Sequence, residues 1–281
     1  MRATAILAVR NERHYLGNCL NHLIENGLDY VVIDNDSTDG TAELLREPRF
    51  ARHLAGYRTH PYEGHFDWLG LLQAREAAAR ETSGDWVVFV SADEIMHSYR
   101  AGESLTEAIV RLDSGGAEVI DFDEFVFLPV DHDYVPDAPG PQPMLHYYFF
   151  QPTKPRLMRA RRRTLDVSHV GHGGHVLEGA PFRLADETFA LRHYIFRDQA
   201  HARSKYPGRT FRKEELDRGW HMNRADQTAA RFTFPPAESL HRLDLPDERE
   251  LRREAPRLKH YWEGWPEREA PSEVPLPRAS G

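Results

Sequence analysis

The sequence predicts an α/β fold in which a mostly parallel, twisted sheet carries helices on both faces. The first 90 residues alternate short β-branched runs with stretches whose apolar residues recur at helical spacing. This is the pattern of successive strand–helix–strand units. Two of the strands, 30–33 and 86–90, run directly into acidic residues. Because open α/β sheets bind ligands outside the carboxyl ends of their strands, we expect a binding site at that edge.

The predicted elements follow one another through short connections. Gly27 ends the first helix, and Ser83 with Gly84 ends the helix before the strand at 86–90. The expected strands are 4–9, 30–33, 54–58, 86–90 and 118–128. The expected helices are 14–26, a short one that starts near Asp39, 66–81, 105–112 and one that starts near Arg197.

We divide the chain into three parts. Residues 1–130 form the α/β core, and 131–206 belong to the same domain but add short antiparallel strands after a proline-rich loop. Residues 207–281 are expected to form a helical, proline-rich C-terminal extension. This extension includes a short helix at 247–254 and ends in a disordered tail from Pro271.

The composition limits the class of protein. The 281 residues include 36 lysines and arginines against 44 aspartates and glutamates, which gives a net charge of -8, so we expect no nucleic-acid binding. No apolar run is long enough for a signal-peptide core or a membrane span. We therefore expect no integral membrane segment and a cytoplasmic location. The single cysteine, Cys19, fits a reducing compartment and is expected to be a buried hydrophobic residue.

The strand at 30–33 is followed by Asp34, Asn35 and Asp36. A carboxylate at a strand end can accept a hydrogen bond from the imide N–H of a uracil or thymine ring, or from a ribose hydroxyl. We therefore predict that Asp34 binds a nucleoside. Asp36 is equally consistent with capping the next helix, a role for which Asp39 is the better candidate.

The strand at 86–90 is followed by Asp93 and Glu94. Hard oxygen ligands at such a corner can hold Mg²⁺ or Mn²⁺ against phosphates, so we predict a divalent metal here. Arg75 lies on the preceding helix, where it either reaches a diphosphate or belongs to a solvated helix face. Two strands with acidic ends therefore predict a nucleotide and a metal at one edge of the sheet.

These residues together resemble family 2 of the glycosyltransferases, which are inverting enzymes with the GT-A fold. The family pattern has an early strand followed by an Asn-Glu pair, here Asn11-Glu12. An Asp-rich strand end is then followed by Ser-Thr-Asp-Gly-Thr, here 34–41. An arginine-containing helix, here around Arg75, and an acidic metal motif come next. The resemblance covers about residues 3–130 and, more loosely, extends to about residue 206.

The resemblance implies a sugar donor and a metal. The donor would be a nucleoside diphosphate sugar, most often a uridine one, bound by Val9, Asn11, Glu12, Asp34, Asn35, Asp36, Arg75, Ser91 and Ala92. Mn²⁺ or Mg²⁺ would be held at Asp93, Glu94 and His193. Family members usually carry Asp-Ala-Asp-Glu at the metal corner. Ser91 replaces the first acid here, and this departure bears on donor affinity and on metal dependence.

Histidines form a second group of candidates. His169, His172 and His175 lie in a glycine-rich loop whose spacing does not match a zinc motif. We interpret it as an active-site loop in which His172 or His175 contacts the diphosphate or the acceptor. The resemblance favours His193 over both as the additional metal ligand, and the alternative is a buried sheet histidine.

Inverting transfer needs a general base that deprotonates the acceptor hydroxyl. The strand at 118–128 places Asp121 and Asp123 on one face and Glu124 on the other. Glu178 is a further candidate. Among these carboxylates we favour Asp123.

The sequence therefore predicts a metal-assisted glycosyltransferase that moves a sugar to a hydroxyl acceptor with inversion. Residues 1–130 would bind the donor, and 131–206 would face the acceptor. One alternative is a nucleotidyltransferase, which is disfavoured because 8–12 lacks glycine. The other is a non-catalytic nucleotide- or carbohydrate-binding relative. The basic run at 156–163 is either a solvated strand edge or a surface that meets a phosphorylated acceptor.

Overall fold

The computed structural model describes residues 1–131, 134–135, 143–225, 227–264 and 272–273. Most of the proline-rich loop and nearly all of the expected disordered tail lie outside the described residues. The helices are α1 (Arg13–Glu25), α2 (Thr41–Leu44), α3 (Pro48–Ala51), α4 (Trp68–Glu81), α5 (Leu105–Ser114), α6 (Gln199–Lys205) and α7 (Lys213–Asp217). The strands are β1 (Ala3–Val9), β2 (Asp29–Asp34), β3 (Leu54–Thr59), β4 (Trp86–Val90), β5 (Glu94–His97), β6 (Val119–Ile120), β7 (Phe122–Leu128), β8 (His146–Phe150), β9 (Thr153–Lys154), β10 (Ala160–Arg162), β11 (Val167–Ser168), β12 (Glu178–Gly179), β13 (Phe189–His193), β14 (His241–Arg242) and β15 (Ser272–Glu273).

The central sheet has six strands in the order β3-β2-β1-β4-β10-β6. The first four are parallel, and β10 runs antiparallel to both of its neighbours. In this register β1 pairs Val9 with Asp34 on one side and Leu7 with Val90 on the other. The carboxyl ends of β2, β1 and β4 therefore meet at one edge, and the predicted α/β class is confirmed.

A second sheet has five strands in the order β14-β8-β7-β13-β5. The expected strand at 118–128 is divided between the two sheets, because Asp121 interrupts it. The Asp121 carboxylate accepts backbone hydrogen bonds from Arg156 at 3.1 Å and Leu157 at 2.7 Å, which fixes the crossing between β6 and β7. The second sheet thereby brings β5, β7 and β13 alongside the carboxyl edge of the first.

Helices cover both faces of the central sheet because its strands are apolar on both sides. Leu7 belongs to a core that includes Leu16 of α1 and Ile109 of α5. The neighbouring Ile6 points the other way and belongs to a core that includes Leu71 of α4. Cys19 is buried in the first of these cores. Within the described residues, no helix combines the length and the apolar character needed to cross a membrane.

The C-terminal part is mostly irregular, which corrects the predicted helical extension. Among the described residues from 207 onward, α7 is the α-helix, and the expected helix at 247–254 does not form. The buried carboxylate of Glu215 on α7 accepts from the backbone N–H of Leu69 at 2.6 Å and lies 3.0 Å from His221 Nε2. This bond to the first turn of α4 holds the segment beside the carboxyl edge of the central sheet.

Helix α5 begins with a capping box in which Ser104 and Glu107 bond reciprocally. Ser104 Oγ accepts from the Glu107 N–H at 3.3 Å, and Glu107 Oε2 accepts from the Ser104 N–H at 2.8 Å. We expect Ser104→Ala to lower the free energy of unfolding by about 1 kcal/mol in chemical denaturation. Ser114→Ala, at the other end of the helix, is the control, because its hydroxyl donates to the Val110 carbonyl and caps nothing. An equal loss in both variants would contradict the capping role.

Candidate active site

A cavity of about 1280 Å³ opens at the carboxyl edge of the central sheet. The end of β1 contributes residues 9–12, and the corner after β4 contributes 91–94. The second sheet contributes Glu124 and His193, and the C-terminal part contributes 219–224. Segments that are far apart in the sequence therefore share one concave surface at the edge where α/β sheets bind ligands.

Asp93 pairs with two cationic groups inside this cavity. Its Oδ2 accepts from Lys205 Nζ at 3.2 Å and lies 3.6 Å from His193 Nε2. Burial raises the pKa of the Asp93 carboxyl, but Lys205 and His193 outweigh burial and hold that pKa well below its usual range. Asp93 is therefore ionised at neutral pH.

His193 lies between two carboxylates. Its Nδ1 is 2.7 Å from Glu124 Oε1, and its Nε2 faces Asp93. The strand register produces this position, because β13 pairs His193 with Glu94 on one side and with Val126 on the other. Burial lowers the pKa of His193, but the two carboxylates outweigh burial and raise it to about 10.

Glu124 holds cations at the cavity surface. Its Oε1 bonds to His193, and its Oε2 lies 3.1 Å from Arg156 Nη2. Burial raises the pKa of Glu124, but Arg156 and His193 outweigh burial and hold it well below its usual range. Such a carboxylate is a poor general base. Contrary to its place among the catalytic candidates, Glu124 is better suited to orient His193 and Arg156.

Glu94 fixes the corner after β4. Its Oε2 accepts from the Ser91 backbone N–H at 2.7 Å, and its Oε1 accepts from Arg159 Nη2 at 3.2 Å. Both oxygens are therefore engaged within the protein, which disfavours the predicted role of Glu94 as a metal ligand. Its observed role is to set the position of residues 91–94.

A divalent metal that a substrate also coordinates fits between Asp93 and the neutral form of His193, since metal binding displaces the proton from Nε2. The oxygen and nitrogen are 3.6 Å apart, and the other imidazole nitrogen is held by Glu124, as is usual for metal-bound histidines. In the part of the chain that the structure describes, no three His, Cys, Asp or Glu side chains converge as a metal-binding group. Mg²⁺ usually combines one or two carboxylates with substrate phosphates, so a small protein ligand set is compatible with binding alongside a diphosphate.

Asp34, Asn35 and Asp36 are not among the residues that line the cavity. Asp34 Oδ1 accepts from the Ser37 N–H at 3.0 Å, and Oδ2 accepts from the Tyr57 hydroxyl at 2.9 Å. Because β1 lies between β2 and β4, Asp34 is one strand removed from the corner that carries Asp93. Its carboxylate holds the turn and Tyr57, and its contact with the nucleoside stays a prediction.

The two residues after Asp34 also bond within the protein. The Asn35 amide donates to the carbonyls of His60 at 2.9 Å and Pro61 at 3.1 Å. Asp36 Oδ2 accepts from the Tyr62 N–H at 2.8 Å. These bonds tie the loop after β3 to the end of β2, so both side chains serve the loop rather than the cavity.

Arg75 does not reach the cavity either. It is buried under the central sheet, with Nη2 within 3.5 Å of the Ile6 and Val90 carbonyls and its guanidinium 5.2 Å from the Phe89 ring. Arg75 lies neither in the cavity nor on a solvated helix face, because α4 packs this side of the helix against the sheet. Arg159 lines the cavity instead and bonds to Glu94 at the corner after β4.

Asp123 and Glu178, two of the general-base candidates, also lie off the cavity. Asp123 alternates with Glu124 along β7 and so faces the other way, where Oδ2 accepts from Tyr99 at 2.9 Å and Thr188 at 2.7 Å. Glu178 is exposed, and its carboxylate lies 3.5 Å from His172 Nε2. The two carboxylates lie on opposite faces of β7 as predicted, and the face that lines the cavity is that of Glu124. The identity of the general base stays a prediction.

The three histidines of the glycine-rich loop lie in different environments. His169 is buried, with Nδ1 3.2 Å from Glu76 and Nε2 2.7 Å from the Met158 carbonyl. His172 and His175 both line the cavity. Burial, together with nearby arginines, lowers the pKa of His175 well below its usual value, so this imidazole is neutral at pH 7.

The basic run at 156–163 is not a solvated edge, which corrects one of its two interpretations. Strand β10 lies inside the central sheet between β4 and β6, so Arg159 and Arg161 are buried and pair with Glu94 and Glu76. The positive side chains of the cavity that the sequence did not identify include Arg197, Arg209 and Arg224. They follow the motif-bearing half of the chain, and no spacing pattern marks them.

A family model describes the chain over most of these elements. Residues 4–169 match the model of glycosyl transferase family 2. The match covers more than half of the 281 residues and includes β1, the corner after β4 and the histidine His169. The chain belongs to glycosyl transferase family 2, and the expected resemblance is confirmed together with the GT-A type of α/β fold.

Curated relatives carry names of the same kind. The chain is 26% identical over 178 residues to the lipopolysaccharide core biosynthesis glycosyltransferase LpsC of Rhizobium meliloti, a match that covers 63% of this chain and 57% of the relative. It is 27% identical over 131 residues to the 4,4'-diaponeurosporenoate glycosyltransferase of Staphylococcus haemolyticus, covering 46% of this chain and 34% of the relative. The chain thus spans little more than half, or less, of these relatives.

Solved structures with similar folds include two enzymes bound to nucleotide sugars. TarS of S. aureus in complex with UDP-GlcNAc matches with a TM-score of 0.43 and 16% identity, over 70% of this chain and 59% of that one. The mannosyltransferase PcManGT from Pyrobaculum calidifontis in complex with GDP-Man and Mn²⁺ matches with a TM-score of 0.41 and 18% identity, over 80% of this chain and 70% of that one.

Proposed function

We propose that this protein is a metal-assisted glycosyltransferase that moves a sugar from a uridine diphosphate donor to a hydroxyl acceptor with inversion. The observation that carries the proposal is the position of Asp93. Its ionised carboxylate lies beside His193 and Lys205, in a cavity at the carboxyl edge of a parallel sheet. Open α/β sheets bind their ligands at this edge.

The nucleoside part of the donor would lie against the end of β1. Val9, Asn11 and Glu12 line the cavity there, and Ser91 with Ala92 lines it beside Asp93. In this arrangement Asp34 contributes indirectly, since it pairs in register with Val9 on the neighbouring strand.

The donor diphosphate would lie at Asp93, where positive charge is concentrated. Lys205 bonds to Asp93, and Arg209 stacks 5.5 Å from the ring of Tyr206, which adjoins Lys205 in the chain. A divalent metal held by Asp93 and His193 would stabilise the negative charge of the departing diphosphate. Asp93 and His193 would hold the diphosphate end of the donor in place, and Lys205 would neutralise part of its charge.

The acceptor hydroxyl has to approach from the side opposite to the diphosphate. The segment 219–224 and His260 also line the cavity. We propose that the acceptor enters there, next to the second sheet and to Glu124.

The proposal is tested by incubating the metal-stripped protein with UDP, GDP and dTDP sugars, with and without Mn²⁺, and measuring the release of nucleoside diphosphate. We expect UDP to be released from a UDP sugar only when Mn²⁺ is added. Binding without release under all conditions would instead support a non-catalytic nucleotide-binding protein. Release of pyrophosphate from a nucleoside triphosphate would support a nucleotidyltransferase, and either result would overturn the proposal.

A further inference from the structure

The cavity is more positive than the protein that contains it. The whole chain has a net charge of -8. Eight arginine and lysine side chains nevertheless line the cavity, against six aspartates and glutamates. An excess of cations in a concave site raises the local concentration of anionic ligands.

The cavity carboxylates do not neutralise all of these cations. Asp93 pairs with Lys205, Glu94 with Arg159, and Glu124 with Arg156. Among the described residues, no carboxylate forms an ion pair with Arg209 or Arg224. Two guanidinium groups of the cavity are therefore available to an anion.

The two arginines both lie close to the aromatic ring of Tyr206. The guanidinium of Arg209 is 5.5 Å and that of Arg224 is 5.0 Å from the ring centroid of Tyr206. Arg209 belongs to the side of Asp93. Burial and Asp93 raise the pKa of Glu12 to about 7, while Lys205 and Arg209 oppose this rise. These groups surround the proposed position of the donor diphosphate.

Arg224 also belongs to a group of cations that includes Arg156 and Arg159. Burial and then the charges of Arg156, Arg159 and Arg224 lower the pKa of His175, so these four side chains share one region of the cavity. Arg156 joins this region to Glu124 on the second sheet. The region therefore lies on the side of the cavity where the acceptor would enter.

Buried hydrogen-bond donors in this region lack partners in the protein. Arg156 Nε, Arg159 Nε and Arg224 Nε are buried without a hydrogen-bond acceptor, and His175 Nδ1 is buried without a partner. Leaving such groups unpaired costs free energy, and a ligand that supplies acceptor oxygens recovers it. An anionic oxygen makes stronger hydrogen bonds with guanidinium donors than a neutral oxygen does, so the region favours an anion.

We propose that Arg224, with Arg156 and His175, binds an anionic group, a phosphate or a carboxylate, on the acceptor. Guanidinium groups bind both anions through paired N–H donors. This inference rests on the proposed glycosyltransferase function, and it agrees with the sequence-based alternative that the basic run at 156–163 meets a phosphorylated acceptor. Arg156 and Arg159 are the members of that run that reach this region.

The test is titration calorimetry with inorganic phosphate on protein that is saturated with UDP and Mn²⁺, so that the donor site is filled. We expect phosphate to bind the wild-type protein. Arg224→Gln should weaken phosphate binding by at least about tenfold, a loss of about 1.4 kcal/mol, and change UDP affinity by less than about twofold. Arg224→Lys, which keeps the charge without the paired donors, should give an intermediate phosphate affinity.

Arg231→Gln is the matched control, because Arg231 is exposed and does not line the cavity. It should leave both affinities unchanged, and thermal unfolding of each variant checks that it is folded. If Arg224→Gln weakens UDP and phosphate equally, or if UDP prevents phosphate binding, Arg224 belongs to the donor diphosphate and the inference is overturned. If Arg224→Gln weakens UDP-glucuronate but not UDP-glucose, the anion belongs to the donor sugar, which also overturns it.

Failure of the proposed function gives a different result. If UDP does not bind to the wild-type protein with Mn²⁺, the donor assignment fails whatever phosphate does. Phosphate titration of the nucleotide-free protein then compares wild type with Arg224→Gln directly. An equal affinity in the two proteins would overturn the anion site.

Discussion

Asp93→Asn is expected to reduce kcat/KM by about 100-fold or more, because loss of an outer-shell partner of a metal ligand typically costs 10- to 100-fold, and here the proposed ligand itself is changed. The amide keeps the size of the side chain but removes the charge that faces Lys205 and His193. Steady-state UDP release at saturating Mn²⁺ measures the effect. Calorimetry with Mn²⁺ and UDP should show weaker metal binding in the same variant.

Asp29→Asn is the matched control for this substitution. Asp29 begins β2, so it lies at the opposite edge of the sheet from the cavity, and its pairing with His53 is exposed. Its kcat/KM should stay within about twofold of wild type, since exposed ion pairs contribute little. An Asp93→Asn enzyme with unchanged kcat/KM would show that the corner after β4 is not the site of transfer.

Glu76→Gln is expected to produce the largest loss of stability among the substitutions considered. Glu76 is buried under the central sheet, where Oε2 bonds to Arg161 Nη2 at 2.7 Å and Oε1 accepts from the His169 N–H at 2.9 Å. Removing one partner of a buried ion pair leaves an uncompensated charge, here that of Arg161. We expect the free energy of unfolding at pH 7 to fall by about 3–5 kcal/mol in chemical denaturation.

The pH dependence of this effect has a defined sign. Burial raises the pKa of Glu76, but His169 and Arg161 outweigh burial and lower it from 4.5 to about 2. The stability that its ionised form contributes is therefore complete above about pH 4.5 and is lost as the pH falls toward 2. The difference in unfolding free energy between wild type and Glu76→Gln should shrink over that interval.

Glu81→Gln, later on the same helix, is the control for Glu76→Gln. Glu81 forms an ion pair with Arg58 at the surface, and both side chains are exposed. Its loss should cost no more than about 1 kcal/mol. If the two glutamine variants were equally stable, the buried pair under the sheet would not be holding β10 against α4.

The sequence was sufficient to predict the sheet edge and the two acidic strand ends that lie there. Hydrophobic runs define the strands of the parallel core, and the helices that connect them make the strands parallel. The position of Asp93 at the carboxyl edge therefore follows from local pattern. Asp34 has the same local pattern. Asp34 does not line the cavity, because Tyr57 on β3 bonds to its carboxylate and because β1 lies between β2 and β4. This order of strands in the sheet does not follow from local pattern.

The remaining site residues depend on contacts between distant segments. Glu124 meets His193 only because β7 and β13 are paired in one register, and a shift by one residue would turn Asp123 toward the cavity instead. Arg75 is buried because α4 packs under the sheet. Arg159 reaches the cavity because β10 inserts into the sheet. Arg209 and Arg224 reach the cavity through a segment that Glu215 attaches to α4, a bond between residues 146 positions apart in the chain.

The most direct test is a crystal structure of the protein with UDP and Mn²⁺. We expect the uridine against the end of β1 at Val9, Asn11 and Glu12, and the diphosphate joined to Asp93 through the metal. The anion region at Arg224 should remain open to a second ligand. A nucleotide bound outside the cavity, or a diphosphate that contacts neither Asp93 nor a metal on it, would contradict the proposed mode of donor binding.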